Sequence, residues 1–357
     1  MRRLVSLLVA VAACGTVPAV AADPVLPGLD ATAWLQQRLD EGGDIVLPPR
    51  EDLGCYRSRG LWVTHSDTSI QSDGACIVAT GRGPVRFHGE DGEPIAATAL
   101  FYFSRPGVGS AAPQRVSIDG LRLVIPERAK MFGLQVTGTD VDIGDLRVEG
   151  APIDAALVGG RGDGPATDVL IHDSTFAAGT RNVMSITSAR RVAVVRCSLS
   201  GASDTHYLVE TRRRYGNPAA GIDVEPDRPS DPIVDVQLVE NRIWGNAGPG
   251  IILALDPNTG RPREADGIAI DRNLIVGNGR RRTPPLRGGI VLAGGQARTP
   301  GHVAITRNVI RGNRGFGLAG HPTIGTSMIV DARGNDLRGN RAGRWHFVRI
   351  GRGSHLG

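Results

Sequence analysis

Asn241-Arg-Ile-Trp-Gly-Asn246, Asn273-Leu-Ile-Val-Gly-Asn278, Asn308-Val-Ile-Arg-Gly-Asn313 and Asn335-Asp-Leu-Arg-Gly-Asn340 are four versions of one phrase. Two asparagines stand five residues apart, an aliphatic follows the first by two places, and glycine precedes the second. Short alternating stretches precede three copies: Val236-Gln-Leu238, Ile268-Ala-Ile270 and Val303-Ala-Ile305. Glycine-led stretches follow three: Gly250-Ile-Ile-Leu253, Gly289-Ile-Val-Leu292 and Gly317-Leu318. The leading asparagines lie 32, 35 and 27 residues apart. A supersecondary unit recurring at that period is a stacked solenoid, and strand-turn-strand units with Gly-Asn corners predict a parallel β-helix. Gly and Asn suit such corners because they reach positive φ at little cost. Stacked asparagines can also pass amide hydrogen bonds from coil to coil, so they read as structural rather than catalytic.

The register continues upstream in weaker form. The stretches 116–123, 141–148, 169–176 and 192–199 place Leu121, Leu146, Ser174 and Cys197 in the column of leading asparagines. The column then steps by 25, 28, 23, 44, 32, 35 and 27 residues. The step from Cys197 to Asn241 marks one oversized coil, and insertions in solenoids form loops that often bind ligands.

Arg2 and Arg3, the apolar run from Leu4 to Ala13 and the small residues Ala19-Val-Ala21-Ala22 form a signal-peptide pattern over 1–22, too short to span a membrane. The sequence thus points to a secreted or periplasmic protein. Val11-Ala-Ala-Cys14-Gly also resembles a lipobox, in which Cys14 would carry a lipid anchor. Residues 23–357 carry no linker and read as one elongated, monomeric domain, because a solenoid core grows in one dimension. Glycine is abundant at 49 residues and aromatics scarce at 4%, as thin coils filled with aliphatics require. Export permits a disulfide, and Cys55 with Cys76 is the natural pair across the first coil. Cys197, in the core column, reads as a buried free thiol.

Asp30-Ala-Thr-Ala-Trp-Leu-Gln-Gln-Arg-Leu-Asp-Glu-Gly-Gly43 predicts a capping helix. Asp30 is its N-cap, Ala31, Trp34, Leu35 and Leu39 form one apolar face, and the two glycines stop it. The strand Asp44-Ile-Val-Leu-Pro-Pro49 follows. A helix, a Gly-Gly turn and a strand ending in Leu-Pro-Pro resemble the N-terminus of the pectate-lyase-like right-handed β-helix proteins. Together with the Asn-Gly-Asn coils the resemblance covers most of 23–357. It implies an all-β, right-handed parallel β-helix and action on carbohydrate, and it specifies no chemistry.

The oversized coil holds the candidate site. Gly221-Ile-Asp-Val-Glu225 aligns with Gly250-Ile-Ile-Leu-Ala254 and Gly289-Ile-Val-Leu-Ala293. If Ile222 and Val224 fill the core, strand alternation turns Asp223 and Glu225 outward, about 7 Å apart, beside Ile252, Ala254, Val291 and Ala293. The loop before this strand supplies His206, Tyr207, Glu210, Arg212, Arg213, Arg214 and Tyr215, and a second expanded turn supplies Arg280, Arg281 and Arg282. The expectation is a groove floored by two acids and rimmed by arginines. Lys130 is the sole lysine, so arginine carries nearly all the positive charge of a chain with net charge +5. Guanidinium groups pair bidentately with carboxylates, which points to an acidic polysaccharide. Export and the lack of aromatic stacking platforms in these loops speak against nucleic acid.

Three readings of the acid pair stand open. Asp223 and Glu225 could be the acid and base of an inverting hydrolase. With Asp227 and Glu210 they could hold Ca²⁺ against a uronate while Arg213 or Tyr207 takes the C5 proton in β-elimination. They could instead be a salt-bridged pair in a binding groove. The reading these residue types favour is a polysaccharide lyase with catalytic Asp223, Glu225, His206, Tyr207 and Arg213. Arg212, Arg214, Tyr215 and Arg280 to Arg282 would bind substrate. Asn217-Pro-Ala-Ala-Gly-Ile-Asp223 resembles the Asn-Thr-Asp-Gly-Ile-Asp phrase of polygalacturonases, but alanine stands at the catalytic aspartate. Pectate lyases combine acidic Ca²⁺ ligands with a basic residue, which suits these residue types.

Overall fold

The computed structural model describes residues 30–50, 54–81, 87–88, 94–95, 99–103, 112–129, 131–160, 164–179, 181–203, 207–208, 213–214, 218–255, 264–280, 287–294, 301–321, 326–347 and 350–357. Among the described residues, most coils contribute one strand to each of three parallel sheets, of 12, 9 and 10 strands, stacked in chain order. The repeat phrase shows how. In one coil Ile233–Val239 lies in the first sheet, Arg242–Trp244 in the second and Ile251–Ala254 in the third. The residues between the paired asparagines, read as a turn from sequence, are therefore a third strand. Three residues are too short to show alternation, which is why the pattern hid it. The architecture is a right-handed parallel β-helix with an N-terminal cap.

The inward residues form one continuous core, with Ile222, Val224, Ile243, Ile251, Ile275 and Ile310 all fully buried. Polar ladders run beside it. Asn241 donates its side-chain N–H to Oδ1 of Asn273 at 3.0 Å, Asn273 to Asn308 at 2.9 Å, and Asn308 to Asn335 at 2.9 Å. The second asparagines repeat the pattern through Asn246, Asn278, Asn313 and Asn340. Each Oδ1 also takes a main-chain N–H of the coil below, as Asn273 does from Asn241.

The left-handed conformation sits elsewhere than expected. Residues just before the leading column adopt it: Asp173 at φ 49°, Arg196 at 52°, Glu240 at 57° and Arg272 at 53°. These side chains pair along the stack, Arg196 with Asp173 and Arg272 with Glu240, so charge replaces glycine at an exposed corner. At the second corner glycine does take the role, with Gly245 at 68° and Gly277 at 66°. The glycine opening each third-sheet strand answers close approach instead. A Cβ on Gly250 would meet Ile275 Cγ2 at 2.4 Å, and one on Gly289 would meet Ile310 Cγ2 at 2.2 Å.

The cap helix spans Thr32–Glu41 and buries Leu35 and Leu39 over the first coil. It starts one residue later than Asp30 predicts: Ala31 holds the N-cap position, and Oδ1 of Asp30 accepts the N–H of Thr32 at 2.9 Å. Cys55 and Cys76 are disulfide-bonded, and Cys197 is a buried free thiol. No helix among the described residues is long and apolar enough to cross a membrane. The signal-peptide segment lies outside the described residues.

Candidate functional site

Strand pairing in the third sheet lines up one outward residue per coil. The row runs Gln135, Leu157, Ser185, Asp223, Ile252 and Val291. Asp223 is thus outward, with Ile222 and Val224 in the core on either side, and its upper neighbours are Ile252 and Val291 as alternation predicts. The row is not an open wall, however. Asp223 is 2% exposed, Ile252 2% and Val291 2%, and Glu225 two places on is half-buried. An acid placed there loses hydration without entering the core.

The groups below Asp223 come from two earlier coils. Asp154 is fully buried and accepts four hydrogen bonds. Arg181 Nε donates at 3.0 Å, Arg181 Nη2 at 2.5 Å, the Asn182 main-chain N–H at 3.0 Å and the Ser185 hydroxyl at 2.8 Å. Asn182 is also fully buried, and its side-chain N–H donates to Oδ2 of Asp223 at 2.9 Å and to Ser185 Oγ at 3.1 Å. Among the described residues, Oδ1 of Asp223 is buried with no donor, and the hydroxyl of Thr187 one coil earlier is likewise buried without a partner.

Burial, then the nearby charge of Glu225, pushes the Asp223 carboxyl well above the usual carboxylate range against the pull of Arg181. Burial likewise raises Glu225; Arg181 works against it and the like charge of Asp227 adds to it. The two carboxyls are close enough for each to act on the other. Two like charges brought together in a desolvated place favour keeping a proton on one of them. Arg181, whose side chain is 29% exposed, is held charged by Asp154 despite its own desolvation.

Arg181 is therefore the base that acts on both acids, and the sequence reading did not name it. Of the arginines it did name, Arg213, Arg214 and Arg280 are among the described residues. Arg280 is exposed and reaches the corner at Gly245, where its Nη2 would lie 3.3 Å from a Cβ. Tyr207–Leu208 and Arg213–Arg214 form a two-stranded antiparallel pair with Tyr207 opposite Arg214. His206, Glu210, Arg212, Tyr215, Arg281 and Arg282 lie outside the described residues. Asp227 is half-buried near Glu225. Among the described residues no three His, Cys, Asp or Glu side chains are grouped to hold a metal ion. Asp154, Asn182 and Ser185 had a detectable signal: Asp154-Ala-Ala-Leu-Val158 and Asn182-Val-Met-Ser-Ile186 align on Ala220-Gly-Ile-Asp-Val224 once the third sheet is tracked upstream. Without the leading glycine, those coils do not announce the register.

No protein-family model and no curated protein matches this chain. Solved structures do match in fold. A tailspike protein gp49 of Acinetobacter baumannii bacteriophage Fri1, a capsular polysaccharide depolymerase, superposes with a TM-score of 0.54 at 13% identity over 86% of this chain and 51% of that one. A tailspike of E. coli bacteriophage HK620 in complex with a hexasaccharide gives 0.58 at 13% identity over 88% and 55%. The catalytic domain of a GH87 α-1,3-glucanase in complex with tetrasaccharides gives 0.50 at 14% over 90% and 60%. The chain thus spans about half the length of the phage proteins it resembles.

Proposed function

We propose that this chain, with the fold of the pectate-lyase-like right-handed β-helix proteins, is an exported enzyme that cleaves an acidic polysaccharide by β-elimination. Asp223 and Glu225 act as one acid–base unit, and arginines attract the substrate carboxylates. The observation that carries the reading is the acid pair on one outward strand: Asp223 is 2% exposed, and among the described residues its Oδ1 meets no donor. Polysaccharide is the class named with the tailspikes and the glucanase of the same fold. The net charge of +5 favours an acidic one.

Elimination asks for one unit that first takes and then returns a proton. The base removes the C5 proton, the electron pair becomes the C4–C5 double bond, the C4–O bond breaks and the departing oxygen is protonated. A pair whose proton affinity is raised toward neutrality suits both transfers. Glu225, the less buried partner, is the group that meets substrate, with Asp223 behind it.

The test is incubation with pectate, alginate and glycosaminoglycans, with Ca²⁺ or with chelator, while following absorbance of the unsaturated product. Wild type should generate it, and Glu225→Gln should lower the rate by about 10²–10⁴-fold. Dependence on Ca²⁺ would support the expected ligand set of Asp223, Glu225, Asp227 and Glu210. New reducing ends without absorbance would replace elimination by hydrolysis. Silence on every substrate would leave a non-catalytic polysaccharide binder.

A further inference from the structure

The three corners of the coil differ in charge. Where the chain turns into the first sheet, Arg115 is paired with Asp67 and Arg191 with Asp168 of the coil before. Where it leaves that sheet, Arg196 is paired with Asp173, Arg272 with Glu240 and Arg307 with Asp271. The corner between the second and third sheets is built otherwise. Arg280, Arg314 and Arg341 closely follow Asn278, Asn313 and Asn340 on successive coils. The main-chain N–H of each donates to an asparagine carbonyl of the coil before: Arg280 to Asn246 at 3.4 Å, Arg314 to Asn278 at 2.9 Å and Arg341 to Asn313 at 2.9 Å. Those bonds stack them in one column. All three are exposed, and among the described residues none has a carboxylate partner.

The column leads to an aromatic ring. Arg314 Nη1 donates to the main-chain oxygen of Arg280 at 3.3 Å, and the Arg280 guanidinium lies against Gly245. Beside Gly245, on the outer face of the second sheet, Trp244 is 39% exposed, with the Arg242 guanidinium 5.6 Å from its ring centre. Neighbouring coils stand about 4.8 Å apart, so the ring and the three arginines form a strip of regular pitch along the axis.

We propose that this strip is a docking track for an acidic polysaccharide lying along the solenoid, with carboxylates on Arg280, Arg314 and Arg341 and one sugar on Trp244. Guanidinium groups without acids of their own are free to pair bidentately with carboxylates of a ligand. The indole offers a flat apolar face to the C–H face of a sugar, which polar loops do not. Single-stranded nucleic acid asks for successive rings under successive bases, whereas the outward row here runs Ser200, Trp244, Val276 and Arg311. The track lies around a corner from Asp223, which belongs to the third sheet, so it holds the chain rather than reacting with it. Arg280 belongs also to the rim expected from sequence. The choice of polysaccharide as the polyanion rests on the proposed function, whereas the track needs no turnover.

The test is calorimetric titration with oligomers of galacturonate, mannuronate and heparin, with dextran as the neutral control, in a Glu225→Gln background that spares the probe. At least one acidic oligomer should bind, and dextran should not. Replacing Arg280, Arg314 and Arg341 together by alanine should weaken binding by about 10–100-fold in low salt. Trp244→Ala should weaken it by about fivefold, in high salt as in low, because stacking is not screened. Replacing Arg115, Arg196 and Arg272 by alanine removes the same charge from the paired corners and should leave binding within about twofold of the background protein. An equal loss in that control would make the effect one of net charge and overturn the proposal. Failure of every acidic oligomer to bind, or tighter binding of a single-stranded DNA oligonucleotide than of any glycan, would overturn it too. Should the triple variant of the track fail to fold, Arg314→Glu decides alone, weakened for the proposal and unchanged against it. Binding through the track by a protein that releases no unsaturated product loses the elimination reading and keeps this one. Turnover with unweakened binding in the track variants does the reverse.

Discussion

Asparagine ladders between Asn241 and Asn340 and the cluster between Asp154 and Glu225 both bury polar side chains along the solenoid, with opposite bookkeeping. In the ladders each interior amide spends both donors and its acceptor on the neighbouring coils. Asn278, for example, serves Asn246, Asn313 and the carbonyl of Ile243. In the cluster Asp154 is saturated, while Oδ1 of Asp223 and the hydroxyl of Thr187 are buried without partners. An unmade hydrogen bond in the interior costs about 1–3 kcal/mol. The same chain that closes rung after rung with asparagine leaves these atoms open, which is where strain and function coincide in folded proteins.

The largest expected effect lies in the closed half. Asn278→Ala removes the acceptor of Asn246 and the donor to Ile243 and Asn313, so it should destabilise by about 3–4 kcal/mol in chemical denaturation. Asn335, at the partly exposed end of its ladder, should cost about half as much when replaced by alanine. Equal costs would mean that the interior rungs are not cooperative, and the contrast between the halves would weaken.

The open half should instead respond to pH. The folded protein binds a proton at Asp223 more tightly than the unfolded chain does, because its carboxyl is raised above the ordinary 3.8. Its contribution to stability is therefore full below that value and declines as pH climbs through the raised folded value. Asp223→Asn imitates the protonated form and should flatten this decline, with a melting temperature at neutral pH within a few degrees of wild type or above it. An unchanged pH slope would show that Asp223 is already ionised at no cost.

A smaller effect tests where the ladder could have continued. The main-chain N–H of Cys197 already donates to Oδ1 of Asn241, and its Sγ points to the carbonyl of Ile171. Cys197→Asn should add a rung and stabilise by up to about 1 kcal/mol. Burial pushes the native thiol up to about 12, so it should resist a thiol reagent at pH 8 until the protein unfolds. Rapid labelling of native protein would contradict that burial.

Much of this was legible before any coordinates. The repeat phrase, the cap helix, the Cys55–Cys76 bond, the buried Cys197 and the outward turn of Asp223 follow from period, corner chemistry and strand alternation, which are local properties. The second-sheet strands escaped because three residues carry no period. Arg181 escaped for a related reason: a single arginine inside a regular coil does not say in sequence which acid it reaches.

The amino-acid order by itself determined the coil register, the residues that fill the core and the asparagine ladders, since each rung is a local repeat that stacks on its own image. Only the tertiary structure decided that Asp154, Arg181, Asn182 and Ser185 gather beside Asp223, with Asn182 bonding to it across 41 residues of sequence. Parallel stacking juxtaposes coils of unequal length. Which side chains become neighbours therefore depends on the pairing of whole strands, and the proton affinity of the acid pair depends on the solvent that pairing removes.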